Sequence, residues 1–287
     1  MLIALTGATG FVGSHALREA LAQGHSVRAL TRRPQAFSHP RLEWVRGSLG
    51  ERDVELCADV DAVIHIAGLV RARRRADYFE ANADAVRGLV AGAGETRFVL
   101  LSSLAAREPE LSDYAASKRA GELAVAEHPD ALVVRAPAVF GPGDEATEPL
   151  FRLMLKGRLP APGGGGWRSR RLSFVFVEDL ARYLVREAGG EATGVVYPAT
   201  LPDATWGDFA ELCGEAAGRR VRLLPLPTAV LKPVAAVTSV TSRVAGLGHL
   251  TLGKLREFRH PDWSVAETLP DATPMVEALQ RTFESYR

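Results

Sequence analysis

Short apolar runs and segments of helical periodicity take turns along most of the chain. "LIALT" at 2–6, "SVRALTR" at 26–32, "LEWVRG" at 42–47, "DAVIHIA" at 61–67, "RFVLLSS" at 97–103 and "ALVVRAP" at 131–137 read as strands. The run at 61–67 shows little alternation of apolar and polar positions, as a parallel strand buried on both faces does. Between the strands, "VGSHALREALAQG" ending near Gly24, residues 76–92 and residues 113–127 read as amphipathic helices. The alternation implies an α/β architecture with a doubly wound parallel sheet, covered by helices on both faces. Gly141 and Pro142 turn the chain out of this pattern. A first domain is therefore expected at 1–142, with a returning segment around 174–200 that includes "GVVYPA" at 194–199. Residues 143–287 are expected to build a second, smaller and mostly helical domain. Four consecutive glycines in "PAPGGGGW", 160–167, suit neither helix nor strand and predict a mobile loop.

Composition bounds the chemistry. A chain of 287 residues with 47% hydrophobic content has material for two domains and a sizeable core. Its 35 basic and 34 acidic residues leave a formal charge of +1, so no global field selects nucleic acid or an acidic surface. Cys57 and Cys213 lie far apart and match no metal spacing; both read as buried small hydrophobes in a reducing compartment, and no metal site is expected. "MLIAL" runs straight into a glycine-rich turn without a basic leader or cleavage site, which points to a cytoplasmic protein. The most apolar stretch, 223–248, is interrupted by Lys232, Arg243 and three prolines, too broken for a spanning helix. It reads as lining the second domain or an oligomer contact in preference to an interfacial membrane helix. A monomer or homodimer is expected.

The turn "TGATGFVG" carries the first chemistry. A strand that bends sharply into a helix leaves unpaired N–H groups at the positive end of the helix dipole, which makes an anion site. Gly7 supplies the tight turn, Gly10 lets a pyrophosphate approach the backbone without meeting a Cβ, and Gly13 lets the helix pack closely. The flanking strand and amphipathic helix are the context that turns three spaced glycines into a dinucleotide-binding signal of Rossmann type.

With "TG" in front, the spacing Gly7, Gly10, Gly13 resembles the short-chain dehydrogenase/reductase superfamily, particularly its extended and atypical branches, which include nucleotide-sugar epimerases and 3β-hydroxysteroid dehydrogenases. The resemblance covers most of the chain. "DAVIHIAG" at 61–68 is similar to that family's fourth strand, Asn82 falls where its helix asparagine sits, and "YAASK" at 114–118 matches its Tyr-x-x-x-Lys. "VRAPAVFGPG" at 134–143 and "SFVFVEDLA" at 173–181 resemble two markers of the extended branch. The resemblance implies an NAD(P)-binding Rossmann domain followed by a substrate-binding domain. It also implies cofactor contacts from Gly7, Thr9, Gly10, Phe11, Val12, Gly13, Ser48, Leu49, Ala67, Gly68, Lys118 and Pro137. In the family a serine at the preceding strand end orients the substrate oxygen, and here Ser103 is the match, with Ser102 as its rival.

The tyrosine and lysine make sense without the family. Four residues apart on a helix, Tyr114 and Lys118 share a face. A phenol ordinarily ionises near pH 10, and an adjacent ammonium favours the phenolate, so Tyr114 can exchange a proton nearer neutrality. At the end of the second strand, "ALTRR" places Arg32 and Arg33 where an NAD-preferring fold carries an acid. Guanidinium groups there favour NADP(H) through its 2′-phosphate, with NAD(H) as the second choice. The family's adenine-contacting acid is replaced by Ser48.

Other charged groups carry less. "RARRR" at 71–75 and "RSRR" at 168–171 lack interleaved aromatics and read as local anion contacts, not a nucleic-acid surface. The place of the arginine with which extended epimerases clamp a nucleotide diphosphate falls on Leu172, with Arg171 one residue early. Leu104 and Ala105 cannot supply the acid pair of a dehydratase. His65 reads as a packed strand histidine, and Glu178 and Asp179 as helix openers. The expectation is an NADP(H)-dependent oxidoreductase acting on a small-molecule carbonyl or secondary alcohol through Ser103, Tyr114 and Lys118. A nucleotide-sugar epimerase is the enzymatic alternative, and a catalytically silent NAD(P)-binding sensor or assembly protein the alternative of another class.

Overall fold

The structure is a computed structural model and describes residues 1–227, Ala229, Leu231 and 251–287. The chain divides into two compact units, Met1–Ala136 with Leu180–Val196, and Pro137–Asp179 with Tyr197–Arg287. The first change of unit stands at Ala136, where the sequence suggested 142. "AVF" at 138–140 forms a strand that pairs in a different sheet, so the residues up to 142 go with the second unit.

The first unit contains the strands β1 (Leu2–Thr6), β2 (Ser26–Thr31), β3 (Leu42–Arg46), β4 (Ala62–His65), β5 (Arg97–Ser103), β6 (Ala131–Ala136) and β10 (Gly194–Val196). They form one seven-stranded parallel sheet in the order β10-β6-β5-β4-β1-β2-β3. Of these seven, the last in chain order, β10, comes from "GVVYPA" and pairs parallel to β6. Ile3, Ala4, Ala62, Val63, Phe98 and Val99 have no solvent exposure, because helices cover both faces. That is why these strands read as continuous apolar runs. Burying each of the larger side chains contributes about 1.5–3 kcal/mol. The strand order reverses between β1 and β4, and in such sheets the crevice at the carboxyl ends of the strands is where ligands bind.

The helices of this unit are α1 (Phe11–Ala22), α2 (Asp53–Cys57), α3 (Arg75–Phe79), α4 (Ala85–Ala93) and α5 (Asp113–Ala124). The sequence suggested one helix over 76–92, but a π-helical turn at Glu80–Asp84 separates α3 from α4. Packing explains it: a Cβ on Gly121 of α5 would lie 2.1 Å from the Asn82 carbonyl, so α5 rests on the backbone of this turn.

The second unit contains β7 (Ala138–Phe140), β9 (Leu172–Phe176) and β11 (Leu201–Ala204) in a three-stranded sheet, and β8 (Arg158–Pro162) parallel to β12 (Arg222–Leu226). Its helices are α6 (Glu148–Leu155), α8 (Trp206–Ala217), α9 (Leu252–Arg259) and α10 (Met275–Glu284), while α7 (Val177–Ala188) leads the chain back to the first unit. An aromatic core holds it together: Phe140 lies 5.6 Å from Phe176, Phe151 5.8 Å from Phe283, and Phe174 stacks on Phe209 at 4.2 Å. "PAP" before the glycine run is not loop but the end of β8. Gly163 then donates its N–H to the Leu226 carbonyl at 2.9 Å, with no room for a Cβ. Cys57 and Cys213 are buried, which pushes their thiols up to about 11 and about 12. The apolar stretch 223–248 lies mostly outside the described residues. Among those described, no helix is long and apolar enough to cross a membrane.

Candidate active site

The turn from β1 into α1 is built of backbone against backbone. Gly7 has φ +75°, and a Cβ there would stand 2.8 Å from the Ala67 nitrogen. A Cβ on Gly13 would fall 1.9 Å from the Gly7 carbonyl oxygen, so the close contact that the sequence assigned to helix packing is made with the turn itself. Gly10 donates its N–H to Gly7 at 2.9 Å and otherwise faces outward. Among the described residues no side chain caps α1 at Gly10, which leaves the first N–H groups, including those of Phe11 and Val12, available beside exposed Thr9. An uncapped helix start at a glycine cradle fits a dinucleotide pyrophosphate.

Thr6, which sequence inspection passed over, ties the two strands at the switch point. Its Oγ1 accepts N–H bonds from Ile66 at 3.1 Å and Ala67 at 3.2 Å, and lies 2.8 Å from His65 Nδ1. With both N–H groups directed at it, the hydroxyl gives its own proton to Nδ1, leaving the His65 proton on Nε2, which has no partner among the described residues. Burial, aided by the Lys118 charge, brings His65 down to about 3. It is neutral and structural.

At the end of β2, Thr31 donates its hydroxyl to the Arg33 carbonyl at 2.7 Å, and both Arg32 and Arg33 are exposed without an acid partner among the described residues. Ser48 gives its N–H to Glu51 at 3.1 Å, and Leu49 packs against the first unit's core. Gly68 sits where a Cβ would be 2.7 Å from Asn82 Oδ1 and 3.8 Å from Lys118 Nζ. Pro137 is buried at the change of unit.

Strand alternation separates the two serines at the end of β5. Ser102 is buried and donates its hydroxyl to Glu122 Oε1 at 2.6 Å. Ser103 is half-buried, and its Oγ accepts from the Ala105 N–H at 3.2 Å, with its proton uncommitted among the described residues. Ser112 caps α5 by accepting from Ala115 at 3.0 Å. One turn apart on this helix, Tyr114 sets its ring edge-on to Tyr78 at 6.4 Å, and buried Lys118 donates Nζ to the Leu101 carbonyl at 2.8 Å. Burial lowers Lys118 to about 8, against an opposing pull from Glu122. Asn82 accepts from the Leu69 N–H at 2.8 Å and donates to the Leu69 carbonyl and to Ser117, both at 2.9 Å; Ser117 in turn donates to the Tyr114 carbonyl at 2.8 Å. The loop after β4 is thereby fastened to the helix of Tyr114.

Beneath them lies a buried ionic cluster. Glu122 accepts from Arg135 Nε at 2.8 Å and Nη2 at 2.6 Å, and from Arg119 at 2.9 Å. Burial opposes its ionisation, but the bonds from Arg135, Ser102 and Arg119 outweigh it and hold the carboxyl below its ordinary range. Sequence reasoning missed this pair, though two signals could have found it: Glu122 follows Lys118 by four residues, and Arg135 is a charge within a strand that is otherwise apolar.

The basic clusters are mostly engaged in structure. Arg74 caps α3 with Asp77, and Arg75 pairs with Asp113 at 2.6 Å. Arg170 is buried and donates to the Pro162 carbonyl at 2.8 Å, Arg171 pairs with Asp203, and Arg168 lies over the Trp167 ring. Asp179 accepts from Thr200 and from Thr273 Oγ1, both at 2.6 Å, as a helix opener with partners.

Comparison with known proteins adds four findings. The sequence pattern of the NAD dependent epimerase/dehydratase family matches residues 3–190. A ceramide reductase of Caulobacter vibrioides is 36% identical over 308 residues, covering 100% of this chain and 94% of that protein. Among solved structures, human epimerase family protein SDR39U1 (isoform 2) with NADPH superposes with a TM-score of 0.71 at 20% identity over 99% of both chains. MoeE5 in complex with UDP-glucose and NAD gives 0.69 at 22% identity over 99% of this chain and 97% of its own. At these identities the two structures speak for the fold.

Proposed function

Because this chain belongs to the NAD dependent epimerase/dehydratase family, we propose that it is an NADP(H)-dependent oxidoreductase that interconverts a carbonyl and a secondary alcohol. The observation that carries this is the buried Lys118 one helical turn from Tyr114, against the end of the strand that Ser103 terminates. When bound, the nicotinamide supplies or takes the hydride at its C4. In reduction Tyr114 gives its phenolic proton to the substrate oxygen, Lys118 stabilises the phenolate left behind, and Ser103 holds that oxygen by its hydroxyl. Hydride and proton together convert the carbonyl to the alcohol, and oxidation runs the same steps backward.

The whole-length likeness to a ceramide reductase supports a ketone on a ceramide-type, long-chain lipid as the first substrate class to try. Leu69 and Val70, exposed at 39% and 68% in the loop that Asn82 fastens to α5, give that neighbourhood an apolar side. The engagement of Arg170 and Arg171 elsewhere weighs against a nucleotide diphosphate clamp, hence against the epimerase reading. NADPH oxidation followed with ceramide-type ketones and short ketones, beside the interconversion of sugar-nucleotide epimers, which consumes no net cofactor, decides among these. NADPH-consuming turnover of the ketones supports the proposal; epimer interconversion without net NADPH oxidation supports the epimerase. A melting shift with NADPH and no turnover of any substrate would leave a silent binder.

Three further results are expected. Arg32→Ala with Arg33→Ala should reduce the preference for NADPH over NADH by at least about tenfold, because charge-assisted bonds to the 2′-phosphate are lost. Cofactor titration at low salt checks it, and equal affinities in the parent protein would overturn the assignment. Lys118 is protonated below about pH 8 and loses its charge above it, so kcat/KM for reduction should fall above that pH. Lys118→Met should weaken NADPH binding as well as rate. A parental rate with unchanged affinity in that variant would exclude the role given to Lys118.

A further inference from the structure

The outer face of the two-stranded sheet in the second unit takes no part in the reaction assigned to Tyr114 and Lys118, and a role for this face is independent of that reaction. β8 and β12 are in the register Arg158↔Arg222, Leu159↔Leu223, Pro160↔Leu224, Ala161↔Pro225 and Pro162↔Leu226. Period-2 alternation turns Leu159 and Ala161 inward, fully buried, with Leu223 packed against the aromatic core. The opposite face then carries Arg158 beside Arg222, followed by Pro160 with Leu224 and Pro162 with Leu226. Both arginines are exposed, and Leu224 and Leu226 are 41% and 39% exposed.

Like charges at directly paired positions destabilise a sheet, and neither guanidinium has an acid partner among the described residues. The pair calls for an anion that can reach both, next to something apolar for the leucines. Sequence composition agrees. From Ala216 to Arg256 there is no Asp or Glu, while Arg219, Arg220, Arg222, Lys232, Arg243, Lys254 and Arg256 are basic. Where the described chain resumes, Leu252 and Phe258 are each 45% exposed.

We propose that this face docks on an anionic lipid bilayer, with Arg158 and Arg222 at the phosphate headgroups and Leu224 and Leu226 at the acyl boundary. Charge complementarity selects this occupant. A second copy meeting the same face about a twofold axis would offer neither arginine pair an anion, because the face carries only arginine, proline and leucine. Headgroup phosphates neutralise the pair while the neighbouring apolar layer receives the leucines.

The test is co-sedimentation of the full chain with vesicles of phosphatidylcholine alone or with phosphatidylglycerol added. Binding is expected only to the anionic vesicles, released by raised salt and unaffected by free inorganic phosphate. Arg158→Gln with Arg222→Gln should weaken it by roughly thirtyfold. Leu224→Ser with Leu226→Ser should weaken it too while keeping its salt dependence. Melting temperature and NADPH affinity, measured alongside, establish that both variants fold, and neither readout needs turnover. Equal binding to both vesicle types, no binding, or parental binding by both folded variants would overturn the proposal. So would competition by inorganic phosphate, which would indicate a free-anion site, or self-association lost in the leucine variant, which would assign the face to a second copy.

Discussion

Tyr114→Phe is expected to lower turnover of a carbonyl substrate by about 10²-fold or more, the scale of a positioned acid–base group, while folding and NADPH affinity survive. Phenylalanine keeps the ring that stands edge-on to Tyr78 and leaves the backbone bond from Ser117 to the Tyr114 carbonyl untouched. It removes only the oxygen that carries the proton. The measurement is steady-state NADPH oxidation with one active ketone, beside cofactor titration and a thermal melt of the same preparation. A variant that turned over at the parental rate would show that some other group moves the proton. A variant that also lost cofactor affinity or melted early would show that the phenol has a structural duty beyond the one given to it.

Gly13→Ala is expected to abolish dinucleotide binding and to destabilise the first unit, whereas Gly10→Ala should leave folding intact and reduce affinity alone. The difference lies in what one added carbon meets. At Gly13 it lands 1.9 Å from the Gly7 carbonyl oxygen, a backbone atom that cannot swing aside, so the turn or the start of α1 must move. About 3 kcal/mol, the upper end of ordinary overpacking, is the scale of the loss. At Gly10 the added carbon meets, among the described residues beyond its chain neighbours and own helix, the Gly7 oxygen at 3.3 Å, and the remaining space is where a pyrophosphate would approach. Thermal melts and NADPH titrations of the two variants separate the effects. If Gly13→Ala melted and bound like the parent, or Gly10→Ala bound at parental affinity, the corresponding assignment would be wrong.

How far the sequence could be read depended on which contacts are local. Strands such as "AVIH" and "RFVLLSS" were legible because helices bury both faces and leave mostly apolar side chains. The glycine turn and the one-turn spacing of Tyr114 and Lys118 were legible because each needs only its own few residues. What was hidden depends on partners distant in sequence. Ser102 and Ser103 look equivalent until Glu122 takes the hydroxyl of the first. The π turn at Glu80–Asp84 answers to α5, and the end of β8 in "PAPGGGGW" to β12, more than 60 residues later. The acid sought after β3 is present within a few residues, but Glu51 is directed at the Ser48 N–H and Asp53 is buried against the glycines of α4.

The cluster of Glu122, Arg135, Ser102 and Arg119 constrains how this protein can drift. Removing either partner of the Glu122–Arg135 fork breaks a buried ion pair, at a cost of about 3–5 kcal/mol, a large share of the stability of a typical domain. Replacing both with apolar side chains of similar volume can be neutral. The two sequences are therefore separated by a valley: the path between them runs through a concerted change or through prior stabilisation elsewhere. A feature that does no chemistry on the substrate thus restricts which neighbouring sequences selection can reach, and it does so on the helix that carries Tyr114 and Lys118.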